Sequence, residues 1–175
     1  MNVWHDVSPG ENIPEEFEAF IETPAGSRNK YELDKKTGLL RLDRVLYSPV
    51  HYPGDYGFIP RTVWFDNDPV DVLVLTHHPV TPGVLMGARP IGVLRMLDKN
   101  EEDDKIIAVP IDDPKFNEIK DISQISEHQK KEIKHFFEIY KTLQKVEVKV
   151  FDYLGAKEAK ETIKKGLKLY KELMS

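Results

Sequence analysis

Between residues 17 and 109 apolar side chains recur mostly at every second position, the period of a half-buried strand. Phe17, Ala19 and Ile21 share one face of such a segment, and Glu18, Phe20 and Glu22 share the other. Residues 30–33 alternate as well, residues 34–38 carry turn chemistry, and residues 39–42 read as the returning strand of a hairpin. Residues 70–75 are apolar apart from Asp71, as a buried strand would be. Residues 91–97 and 106–109 make a further pair, joined by an acidic segment at 98–104. In the last third the period changes. Ile133, Phe136, Phe137, Tyr140 and Leu143 fall on one helical face, with Ser126 and Gln129 placed to form a capping box at its start. Residues 145–151 alternate again, with Val146, Val148 and Val150 together, and Ala159, Ile163, Leu167, Tyr170 and Met174 line a terminal amphipathic helix. All 12 prolines lie between residues 9 and 114, on the strand-and-turn side of this change. Short strands followed by helices predict an α+β fold whose sheet is a small barrel.

Composition narrows the picture. The chain has 175 residues, no repeat and no Gly/Ser linker, so residues 1–175 are expected to form a single domain able to fill a core without disulfides or a structural metal. With 40% hydrophobic and 31% charged residues it is neither a membrane protein nor wholly disordered. No apolar run approaches the ~18 residues that span a bilayer, and the first residues lack the basic and apolar regions of a secretory signal. Cysteine is absent, which removes thiol catalysis, disulfide scaffolds and Cys-ligated zinc; a cytoplasmic location is expected. The net charge of −5 argues against a nucleic-acid partner, whose binder should be basic. Nineteen Lys and 16 Glu beside only three Gln lean toward a heat-adapted source.

The densest candidate chemistry is Asp66-Asn67-Asp68-Pro69-Val70-Asp71. In extended backbone Asp66 and Asp68 would project alike and Asp71 oppositely, unless Pro69 re-aims it. Carboxylates this close repel one another unless a cation sits among them, and hard oxygen donors suit Mg²⁺ or Ca²⁺; the other reading is an acidic surface turn. An EF-hand fails, because Asp71 stands where that loop needs Gly and His77 where it needs Glu. Residues 51–60 present Tyr52 and Tyr56 on backbone punctuated by Pro and Gly, suited either to aiming hydroxyls at a phosphate or to a packed aromatic turn. Residues 98–105, Asp-Lys-Asn-Glu-Glu-Asp-Asp-Lys, read as a solvated loop or as an acidic rim at the sheet's mouth. Glu132-x-x-His135 is half of a di-iron helix motif without its partner helices, so His135 is expected on a helix surface. No dinucleotide fingerprint, P-loop, HExxH or GxSxG is present.

Taken together, Phe20-Ile21-Glu22-Thr23-Pro24, Lys30-Tyr31-Glu32, Asp43-Arg44-Val45, Tyr52-Pro53-Gly54-Asp55-Tyr56-Gly57, the Asp66–Val74 stretch, Asp98, Asp103-Asp104-Lys105 and the His135–Lys141 stretch resemble, in order and spacing, the Mg²⁺-dependent family I of soluble inorganic pyrophosphatases in its compact prokaryotic form. Asn67 stands where that family usually has Gly, and His51 where an aromatic is common. The resemblance implies a closed OB-like β-barrel of about five strands flanked by two main helices. It implies a cytoplasmic homohexameric hydrolase of phosphate metabolism, cleaving inorganic diphosphate into two phosphates by in-line attack of a metal-activated water. Several Mg²⁺ per site are implied, with Mn²⁺ or Zn²⁺ able to substitute. By the same resemblance Asp66, Asp71 and Asp98 ligate a first metal, Asp71 is shared with a second, and Asp98 and Asp103 hold a substrate-bound metal. Glu22 and Glu32 support the metals, directly or through water. Lys30, Arg44, Lys105, Tyr140 and Lys141 bind phosphate, Tyr52 and Tyr56 complete the pocket, and Asp68 is the general base.

Elementary electrostatics bears on this assignment independently. The set holds seven carboxylates and four cationic side chains, a net of −3 before an anionic substrate arrives. Pyrophosphate would be repelled unless divalent ions reverse the sign. Phosphoryl transfer asks little covalent chemistry of a protein, so no Ser, Cys or His nucleophile is required. The rival readings are a hydrolase of an organic diphosphate, an OB-type binding module, which should show a basic aromatic face, and a non-catalytic Ca²⁺ module.

Overall fold

The alternating segments become strands close to where they are expected, in a computed structural model that describes residues 1–175. In chain order the elements are α1 (Val3–Asp6), β1 (Phe17–Thr23), β2 (Asn29–Leu33), β3 (Leu40–Val45), β4 (Asp55–Phe58), β5 (Asp71–Val74), β6 (Val84–Asp98), β7 (Glu101–Glu102), β8 (Lys105–Pro110), α2 (Glu127–Ile139), β9 (Val148–Gly155) and α3 (Ala156–Met174). Strands β1, β4, β5, β8 and β6 are hydrogen-bonded in that order, and β6 pairs back onto β1, which closes a ring of five. All its pairings are antiparallel except β5 with β8. The small closed barrel with two main helices is therefore present, and closure removes the free edges an open sheet would carry. β6 is long enough, at 15 residues, to pair also with β7 and β9 beyond the ring, while β2 and β3 form a separate hairpin.

The period-two pattern sorts the core onto two faces. Small and β-branched residues such as Ala19, Val72, Val74, Val93, Ile106 and Ala108 cluster with Ala159 and Ile163 of α3. Their neighbours along the strands, Leu73, Leu75, Leu94, Met96 and Ile107, cluster instead with Ile133, Phe136 and Phe137 of α2. The barrel is tight enough to require glycine at one crossing: a Cβ on Gly57 would stand 1.8 Å from the carbonyl oxygen of Phe20 on β1.

Some expected element ends shift. The second helix stops at Ile139 and passes into a 3-10 turn at Thr142–Gln144, so Leu143 leaves the apolar face and is 61% exposed. Ser126 caps that helix by accepting from the Gln129 amide, which is one half of the expected capping box. β9 starts at Val148, and Met174 frays into solvent at the end of α3. α1, which buries Trp4, carries no apolar period long enough to be read from the chain.

Candidate active site

Irregular backbone sets up the site. Pairing of β1 with β4 slips between Ile21 and Thr23, and the residue at the slip is Glu22. Its carboxylate is buried and accepts from the Leu33 amide at 2.7 Å, joining β1 to the β2–β3 hairpin. A second slip, between β2 and β3, falls at Asp43, which lies 3.8 Å from the Lys30 ammonium and 2.5 Å from Arg44 Nη1. Bulges of this kind re-aim side chains at barrel rims.

The acidic hexapeptide is a turn rather than extended chain. Asn67 sits at φ 64°, a left-handed conformation that Asn tolerates better than most residues. Asp66 Oδ1 accepts from the Asp68 amide at 3.0 Å, and the Asp68 carbonyl accepts from the Trp64 amide at 2.7 Å. The expectation that Asp66 and Asp68 project together from a strand thus does not hold, because the chain curls at Asn67. Asp71 begins β5, in register with Lys105 on parallel β8. The Lys105 ammonium, 1% exposed as a residue, donates to Asp71 at 2.6 Å and Asp103 at 2.5 Å. The Tyr56 hydroxyl donates to the same Asp71 oxygen at 2.7 Å.

The acidic run at 98–105 is a tight β6–β7 hairpin with Lys99 and Asn100 both at positive φ. It divides: Glu101 and Glu102 face solvent, whereas Asp103 is buried in the site and Asp104 is buried against Arg95 at 2.5 Å. Asp98 pairs with Lys141, which follows the α2 terminus, and Lys30 pairs with Glu32. Tyr52 and Tyr56 satisfy both readings of their loop. Their rings pack 5.2 Å apart, with Tyr52 4.8 Å from Phe136, while both residues also line the site.

One cavity of about 630 Å³ collects Glu22, Lys30, Glu32, Tyr52, Tyr56, Asp66, Asp68, Asp71, Asp98, Asp103, Lys105, Tyr140 and Lys141. Arg44 alone of the expected set lies beside it, as the cross-strand partner of Lys30. The other sizeable cavity, about 440 Å³ between Trp64, Arg95, Met96 and Lys165, holds none of the expected residues. Three contributors are not foreseen from sequence. Lys35, on the hairpin turn, pairs with Asp68 and lies 4.8 Å from the Trp4 ring. Asp43 and Gln144 both bind Arg44. Lys35 and Gln144 stand in ordinary turn sequence, with no local signal; Asp43 lies in the Asp43-Arg44-Val45 stretch that carries the resemblance, which assigns it no role of its own.

Burial first, and then charge, sets the ionisation of the cavity. Its lining carries eight carboxylates and five lysines. Burial, with the nearby charges of Asp71 and Glu32, pushes Glu22 up to about 8 against the pull of the Leu33 amide. Burial and the charge of Asp71 push Asp103 up to about 7 despite Lys105, and burial with Asp71 and Asp68 pushes Asp66 up to about 6. Burial alone would lower Lys105, but Asp103 and Asp71 outweigh it and keep the ammonium charged. Burial raises Tyr52, Tyr56 and Tyr140, which stay protonated as donors.

Three atoms near these groups are buried without a hydrogen-bond partner: Asp98 Oδ1, Arg44 Nη2 and the Tyr52 hydroxyl. No three carboxylates gather tightly enough on their own to enclose an ion. Lys105 stands between Asp71 and Asp103, and Lys141 is on Asp98, so ammonium groups occupy the charge positions among the acids. All-oxygen donors, raised carboxylate pKa values and an unpartnered buried carboxylate oxygen fit hard divalent cations.

A family model described as inorganic pyrophosphatase matches residues 19–171. Soluble inorganic pyrophosphatase 2 of Chlamydomonas reinhardtii is 53% identical over 169 residues, covering 97% of this chain and 88% of that protein. Soluble inorganic pyrophosphatase of Zea mays is 52% identical over 167 residues, covering 95% and 78%. The crystal structure of inorganic pyrophosphatase from Thermus thermophilus matches with a TM-score of 0.94 at 42% identity, covering 98% of this chain and 99% of that one.

Proposed function

The chain belongs to the inorganic pyrophosphatase family, and from that premise we infer how its site hydrolyses inorganic pyrophosphate to two phosphates. The observation that carries the reading is the trio of unpartnered buried atoms. An acceptor without a donor, Asp98 Oδ1, asks for a cation; two donors without acceptors, Arg44 Nη2 and the Tyr52 hydroxyl, ask for the oxygens of an anion. A metal cation and a phosphate anion answer both demands at once.

Asp66, Asp71, Asp98 and Asp103 would hold the ions, with Asp71 common to two of them and Glu22 and Glu32 in support. Mg²⁺ is the ion we propose, with Mn²⁺ or Zn²⁺ as substitutes, because an all-oxygen site open to solvent and substrate suits a cation that keeps part of its water shell. When bound, the ions supply positive charge against the substrate's oxygens and acidify water.

The chain's own residues supply the rest. Several ammoniums are held by carboxylates: Lys141 by Asp98, Lys105 by Asp71 and Asp103, Lys30 by Glu32. Lys105 and Lys141 both line the cavity, where their ammoniums would meet the substrate's phosphate oxygens. Lys30 and Arg44 add charge at the hairpin side, Tyr52 and Tyr140 donate uncharged hydrogen bonds, and Tyr56, whose hydroxyl is held by Asp71, completes the pocket. Asp68 is the proposed general base, accepting the proton of the attacking water. It occupies the exposed end of its turn with a lysine rather than another acid as its partner. Lys30, Arg44, Lys105 and Lys141 would neutralise charge on the leaving phosphate, and no covalent intermediate is needed.

No helix is long and apolar enough to cross a membrane, and a cytoplasmic homohexamer completes the proposal. Exposed Leu42, Val45, Tyr47 and Phe151 give a lone protomer apolar surface to cover. Sedimentation velocity tests the assembly. Phosphate release from pyrophosphate, measured with Mg²⁺ and after EDTA, tests the function: turnover should need the ion, and equal turnover without divalent cations refutes the site assignment.

A further inference from the structure

Arg44 lies beside the main cavity, and its guanidinium is held at two of its three nitrogens. Nη1 donates to Asp43 at 2.5 Å and Nε donates to the side-chain oxygen of Gln144 at 3.1 Å. Nη2 is buried without a partner. Gln144 comes from a hundred residues further along the chain, at the end of the 3-10 turn Thr142–Gln144. That turn is itself fixed: the Gln144 amide donates to the Lys141 carbonyl at 3.0 Å, the Lys145 amide to Thr142 at 3.0 Å, and Lys145 closes it in a left-handed conformation at φ 58°. Gln144 is thereby tied to Tyr140 and Lys141, which line the cavity.

We propose that Gln144 is a positioning residue for pyrophosphate hydrolysis, fixing the Arg44 guanidinium plane so that Nη2 is its free donor to a substrate phosphate. The proposal rests on the reading of Arg44 as a phosphate ligand. A planar fork held at Nε and Nη1 has no remaining rotation, so the direction of Nη2 is set before substrate arrives. The amide also matters by being neutral. Asp43 already offsets the guanidinium charge, and a second carboxylate at position 144 would make the group net negative and repel an anion. Because the contact joins β3 to the turn after α2, it also keeps Arg44 in step with Lys141 across the site.

The test is a double-mutant cycle read in KM and kcat with Mg²⁺ present. Gln144→Met keeps the side-chain length and removes the acceptor. It should raise KM for pyrophosphate about 5–10-fold, the worth of one directed hydrogen bond, with kcat within about twofold and an unchanged melting temperature. Arg44→Lys, which has no Nε–H, should raise KM by itself, and adding Gln144→Met to it should change nothing further. Gln144→Leu repeats the cycle should the thioether disturb the fold. Parental KM in Gln144→Met, or an equal rise in both backgrounds, overturns the positioning role. If Arg44→Lys leaves KM at its parental value, the underlying assignment of Arg44 fails instead, and the two failures are told apart by that single variant.

Discussion

Saturating the metal-free protein with Mg²⁺ at pH 7 should expel protons, by an amount the site's geometry sets. Burial and mutual repulsion hold Glu22 at about 8, Asp103 at about 7 and Asp66 at about 6. At pH 7 Glu22 is then about nine-tenths protonated, Asp103 about half and Asp66 about one-tenth. A carboxylate must be ionised to ligate a metal. Ligation by Asp66 and Asp103 alone should release about 0.6 proton, and about 1.5 if the added charge also ionises Glu22. Isothermal calorimetry in two buffers of different ionisation enthalpy measures the number directly. At pH 9 the release should shrink to about 0.1, because all three groups are by then nearly ionised. Release that is absent at pH 7, or unchanged between pH 7 and 9, would falsify the account of a proton-holding acidic site. The stability of the metal-free protein follows with a definite sign. These folded-state values lie above those of an unfolded chain, so the native state holds more protons, and stability is lost as pH rises from about 4 through 8. Glu22 alone accounts for several kcal/mol of that loss, at about 1.4 kcal/mol per unit. Melting temperature without metal should fall across this window, and Mg²⁺ should flatten the curve.

Asp68→Asn should lower kcat by ~10²–10⁴ while metal binding by calorimetry changes little; abolished metal binding would instead make Asp68 a ligand. Arg44→Lys, which loses the planar fork, should lower kcat/KM with the melting temperature unchanged, and unfolding of that variant would point to a structural ion pair. Gly57→Ala pushes a methyl carbon to 1.8 Å from the Phe20 carbonyl oxygen, so it should cost about 3 kcal/mol or more by denaturant titration; wild-type stability would mean that β1 and β4 do not approach so closely.

Side-chain faces are readable from the chain because burial is periodic. Val72 and Val74 go to one cluster and Leu73 and Leu75 to the other, as a period of two requires. Element ends are less readable. Leu143 continues the apolar period of α2, yet the backbone tightens into a 3-10 turn before it, and propensity says nothing about that change. The acidic hexapeptide shows its ligand chemistry in its letters but not its shape, which depends on one residue, Asn67, adopting positive φ. The residues that line the cavity are recoverable because their types and order resemble a family pattern. The partners that orient them are not: Gln144 and Lys35 act across contacts that close only in three dimensions, and a glutamine or lysine in a polar turn looks like any other. The ammoniums standing among the carboxylates are likewise invisible in one dimension, since Asp71 and Lys105 meet only through the parallel pairing of β5 and β8.

The pairing of β1 with β6 has a consequence for biosynthesis. Phe17 of β1 is joined to Ala88 of β6, and β8 must then insert between β5 and β6. As the chain leaves the ribosome, the second edge of β1 has nothing to close against until β6 has emerged, and the gap between β5 and β6 stays open until residue 110 is out. Until then the nascent chain carries unpaired strand edges of the kind that recruit other chains. The cavity is completed later still, because Tyr140 and Lys141, which line it, follow α2. A truncated product released before that point would hold every acidic residue of the cavity and lack one of its walls.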